Sequence, residues 1–97
     1  MKRNAENYAQ RVLRMIRVDG RTTRQIMDDV EVLVNRDMPD DSDARAINDE
    51  LDRLISCQFE MARRNAPVKM MYRITDDMFV LERALVSVLM LAVRSAG

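Results

Sequence analysis

Arg45, Asn48 and Arg53 are spaced so that they fall outside the apolar stripe of one amphipathic segment, with Ser56 beside them. Arginine and asparagine pair in two-pronged fashion with guanine and adenine edges, so these three are candidate base readers. Downstream, Arg63, Arg64, Asn65, Lys69 and Arg73 crowd a short stretch, and upstream Arg11, Arg14, Arg17, Arg21 and Arg24 recur at helical spacing. Cations of this kind meet phosphate oxygens and set the register of a protein on a duplex. The chemistry expected is therefore double-stranded DNA recognition, with Arg24, Arg63, Arg64, Asn65 and Lys69 on the backbone side.

Charge also argues the other way. Sixteen basic and sixteen acidic residues cancel, and Asp40, Asp41, Asp43, Asp49, Glu50 and Asp52 share a segment with the candidate base readers. Each close like-charge approach to a phosphate costs ~1 kcal/mol in water, and more where solvent is excluded. An acidic helix docking on a basic protein surface is the competing use of the same residues. A purely solvated face, with pairs such as Asp49 and Arg53, is the bland one.

These side chains need elements to hold them. Ala5, Tyr8, Ala9, Val12, Leu13 and Ile16 keep helical spacing and predict a first helix from Asn4 to Val18, ended by Asp19-Gly20. Thr22 with Gln25 matches a capping box, and Ile26, Val30, Leu33 and Val34 extend a second helix. Asn35 to Ser42 has no period and contains Pro39, so it reads as a connection. Ala44, Ile47, Leu51, Leu54 and Ile55 then predict a third helix over Asp43 to Cys57.

Beyond Cys57 the apolar period reads as two. Phe59 and Met61 alternate with Gln58, Glu60 and Ala62; Val68, Met70, Tyr72 and Ile74 alternate with Lys69, Met71, Arg73 and Thr75, and Arg63 to Pro67 lies between them. The expectation is two short strands joined by a turn, with arginines near the tip.

Helix, helix, turn, helix and hairpin, carried by "GRTTRQIMDDV" and "INDELDRLISCQFEMARRNAPVKMMYRIT", resemble the winged helix-turn-helix superfamily over residues 5–75. The resemblance implies that Asp43 to Cys57 is the recognition helix and Arg63 to Lys69 the wing. Cys57-Gln58 stands where the family often has glycine. The resemblance further implies a small DNA-binding transcriptional regulator. The same superfamily also supplies protein-interaction modules, such as phage-encoded inhibitors of host proteins, and the small size suits a phage or plasmid protein.

The segment after the expected hairpin is of another kind. Thr75 can cap a helix, Asp76 and Asp77 suit its first turn, and Arg94 suits its last. From Met78 to Val93 it is apolar nearly all round, so one face cannot account for its burial. Pairing with its copy across a two-fold axis is the preferred expectation, through Leu81, Leu85, Val88, Leu89 and Ala92. The alternative is one face on the first helix and the other partly exposed. The fold class expected is thus mainly α with a small β-hairpin: a winged helix domain over 1–75 and a dimerisation helix over 76–97.

Composition narrows function further. Without histidine and with one cysteine, no Cys/His zinc site, internal disulfide or His-assisted nucleophile can be assembled. Gly20 and Gly97 supply no phosphate-cradling loop, and Asp37, Asp40, Asp41 and Asp43 lack the glycine and glutamate of a calcium loop. Neither an enzyme nor a cofactor or metal is expected. Glu82 and Arg83 interrupt the apolar run early, which disfavours a bilayer span of about 20 residues. Met1-Lys2-Arg3 leads into Asn4, Glu6 and Asn7 rather than an apolar run, and the cytoplasm is the expected compartment.

Overall fold

The computed structural model describes residues 6–16 and 21–96, and within them the chain forms four helices: α1 (Tyr8–Ile16), α2 (Thr23–Asp37), α3 (Asp41–Arg63) and α4 (Val68–Ala96). The expected helix break at Asp19-Gly20, and the ends at Asn4, Ala5, Val18 and Gly97, lie outside the described residues.

The caps follow from side-chain chemistry. Thr22 Oγ1 accepts from Gln25 N at 3.2 Å while Gln25 Oε1 accepts from Thr22 N at 2.9 Å, the reciprocal box the sequence predicts. Asp40 caps α3: its Oδ1 accepts from Asp43 N at 2.9 Å, and Asp43 Oδ2 accepts from Asp40 N at 3.0 Å. The aspartates of the connecting segment are thus helix-starting groups. Asp41 and Asp43 also place negative charge in the first turn, where the helix dipole favours it.

The α+β expectation is overturned. Among the described residues there is no strand or sheet, and α3 continues through Phe59 and Met61 to Arg63 while α4 begins at Val68. The two segments read as strands are helix ends, and no winged fold is present. The reversal between them is where the sequence places it, but it joins helices. Asn65 takes the left-handed conformation at φ 56° that asparagine tolerates. Pro67 sits just before Val68, where its missing N–H costs nothing, and its carbonyl accepts from Met70 N at 3.0 Å. The 57–63 run Cys-Gln-Phe-Glu-Met-Ala-Arg is rich in helix formers, and Glu60 stands at i,i+3 and i,i+4 from Arg63 and Arg64. Local propensity and ion pairing therefore override a weak two-residue alternation.

One core holds the four helices. Val12 from α1, Val30 and Val34 from α2, Ile47 from α3 and Leu81 from α4 are fully buried. Each such side chain contributes about 1.5–3 kcal/mol relative to exposure. Helix α4 packs on all three others, and its buried face is Val80, Leu81, Ala84, Ser87 and Val88. The distal parts of α3 and α4 form a helical hairpin in which no residue from Ile55 to Phe79 is fully buried. There Cys57, Met61, Met71 and Ile74 are half-buried, Ile74 also packs against the core, and a 2.6 Å bond from Gln58 Nε2 to Thr75 Oγ1 joins the two helices.

Candidate interaction surface

The α3–α4 hairpin carries most of the residues with unspent binding chemistry, so its two kinds of surface can be built in turn. On the cationic side the expected site does not assemble. Arg45 and Asn48 are exposed on the first half of α3, while Arg63 lies eighteen residues further, roughly 27 Å along the axis. Arg53 is spent within its own helix: Nε and Nη2 each lie 2.7 Å from Glu50, and this pairing raises its pKa above the ordinary guanidinium value. Arg63 and Arg64 both turn back onto Glu60, at 2.8 and 2.9 Å. The tip that looked purely basic is neutralised in part by the carboxylate one turn earlier.

A different set of cations does gather. Lys69 and Arg73 on α4, with Arg21 before α2, line a groove of about 630 Å³ together with the acids Asp76 and Asp77 and the apolar Leu13, Ile16, Ile26, Phe79 and Val80. Arg21 is paired with Asp29. Arg24 lies one position beyond Thr23 of the groove wall and is exposed. Lys69, Arg73 and Arg24 have no carboxylate partner among the described residues. Of the eight residues expected to touch DNA, Arg63, Arg64 and Asn65 stay together at the α3–α4 turn, and Lys69 lines the groove with Arg24 one position beyond its wall.

The apolar side is the more developed. Of the expected dimer residues, Leu81 and Val88 belong to the core, Leu85 is half-buried, and Leu89 and Ala92 are exposed. The free face of α4 is instead Phe79, Val86, Leu89, Met90 and Val93, 40 to 71% exposed while the opposite face is nearly closed. Tyr72 continues the line toward the hairpin turn, with Phe59 exposed nearby on α3. Tyr72, Phe79, Val86 and Val93 recur at intervals of seven, the repeat of a helix-pairing seam. That repeat is legible in the sequence, but the even distribution of apolar residues around α4 conceals it until the core claims the other face.

Among the described residues no group of three or more His, Cys, Asp or Glu side chains is arranged to hold a metal ion, and Cys57 is a half-buried free thiol. Among the described residues no helix is long and apolar enough to cross a membrane. Comparison with protein-family models, with curated proteins and with solved structures returns no match.

Proposed function

We propose that this chain is a small helical protein-interaction module, working in the cytoplasm, whose binding surface is the exposed face of α4 together with the adjoining end of α3. The observation that carries this reading is the asymmetry of α4. Its inner face fills the core, and its outer face leaves Phe79, Val86, Leu89, Met90 and Val93 in water. Single exposed apolar side chains need no explanation, but a row of them along one helix, interrupted here by Glu82 and Arg83 between Phe79 and Val86, marks a surface that another molecule covers. Methionine at its centre and rim suits an adaptable contact. The exposed acids of α3, Asp41, Asp49 and Asp52, flank the hairpin and favour a partner with a basic rim.

Val86→Asp combined with Val93→Asp tests the reading, because both positions face solvent and the helix tolerates them. The expected result is unchanged helical circular dichroism and loss of every protein complex the wild type forms, with its own copy or with a protein captured from lysate. A wild type that stays a single chain and captures nothing sinks the reading.

Duplex DNA binding is the second reading, without the winged fold. Its support is the unpaired Arg24, Lys69 and Arg73 beside the groove. Selection from a random duplex library decides it: Lys69→Ala with Arg73→Ala should then weaken binding to all sequences and flatten its salt slope. No retained duplex at low salt removes it.

A further inference from the structure

We infer that the occupant of the exposed α4 face is a second copy of this chain, laid antiparallel across a two-fold axis beside Val86. The inference rests on reading that face as an interaction surface and adds the partner and its orientation.

The argument comes from two charges on α4 that form no ion pair among the described residues, although Asp76 lines the same groove as Arg21, Lys69 and Arg73. Asp76 and Arg94 are exposed and have no partner among the described residues. They are eighteen positions apart, which on a helix of 3.6 residues per turn is five whole turns. They therefore stand on the same edge of the apolar row, roughly 27 Å from each other, one near each end. At that distance they cannot meet within one chain.

A two-fold axis perpendicular to α4 keeps each edge on its own side and reverses its direction. Asp76 then arrives within an arginine's reach of Arg94 of the second copy, and the symmetric pair forms at the other end. The same axis stacks Phe79 on Val93 of the second copy and Val86 on its own equivalent, so three apolar layers lie between two ion pairs. Parallel pairing would instead bring Asp76 level with Asp76 and Arg94 level with Arg94. The formal net charge of zero leaves no long-range repulsion between copies.

Sedimentation equilibrium of the full chain and of three variants tests this. Asp76→Arg and Arg94→Asp should each weaken dimerisation by on the order of tenfold or more, and the double exchange should restore it, because the pairs are re-formed with their signs reversed. A dimer indifferent to both single reversals overturns the antiparallel arrangement. A monomeric wild type that still captures a protein in a Val86-dependent way overturns self-pairing and leaves the interaction reading standing; one that captures nothing overturns both.

Discussion

Arg83 of α4 donates from Nη2 to Glu31 Oε2 of α2 at 2.7 Å, joining side chains 52 positions apart in sequence. Arg83 is about a quarter exposed, its Nε is enclosed without a partner, and Glu31 is less buried. Removing the acid strands a mostly enclosed cation, whereas removing the cation strands only a wetted carboxylate. Glu31→Ala should therefore cost about 1 kcal/mol, discounted for the solvent at Glu31, and Arg83→Met less than that. Urea titration of both variants and of the pair together reads the coupling.

The two faces of α4 should respond oppositely to the same substitution. Val88→Ala opens a cavity in the core and is expected to cost about 1–3 kcal/mol, while Val86→Ala on the free face should stay within about 0.5 kcal/mol for the single chain. Thermal unfolding at low protein concentration measures both. Equal effects would mean that α4 is rotated from the placement described above.

Alkaline pH should loosen α1. Tyr8 is buried against the acid of Asp37, and burial first, then that carboxylate, pushes its phenol well above the usual value. The folded chain holds the proton more tightly than the unfolded one, so the contribution is present below the ordinary tyrosine pKa of about 10 and is lost as pH rises beyond it. Tyr8→Phe should flatten that decline and cost little near neutrality, since the hydroxyl has no hydrogen-bond partner among the described residues. Denaturation midpoints across the alkaline range check the sign.

Both reciprocal caps should be felt. Thr22→Ala and Asp40→Ala each remove the acceptor for an otherwise orphaned N–H and are expected to cost about 0.5–2 kcal/mol. The losses should add, because the caps begin different helices. Chemical denaturation of the single and double variants measures this.

Met38 ends α2 at φ 50°, a left-handed conformation that penalises a Cβ, and its N–H closes on the Val34 carbonyl at 3.0 Å. Met38→Gly should stabilise by about 0.5–1 kcal/mol, since the side chain is exposed and packs little. A fall in melting temperature would show that Met38 packs more than its exposure implies.

The sequence by itself determined a good deal. The second helix and its Thr22 box, the core positions Val12, Val30, Val34, Ile47, Leu51 and Leu54, and the chain reversal at Arg63 to Pro67 are all written in local spacing and cap chemistry. Such signals are set by residues within one or two turns of each other, so no knowledge of the rest of the chain is needed.

Tertiary structure decided what those signals left open. Phe59, Val68, Met70 and Tyr72 stand at alternate positions of the two segments, yet in the helices they are exposed, so their alternation never described a buried strand face. An extended chain would separate Glu60 from Arg63 and Arg64; one helical turn brings it to both. For α4, apolar on all sides, the choice of buried face rests on where α1, α2 and α3 happen to lie. Only their packing sends Leu81 and Val88 inward and leaves Val86 and Val93 in water, because burial is a property of neighbours and not of the side chain alone.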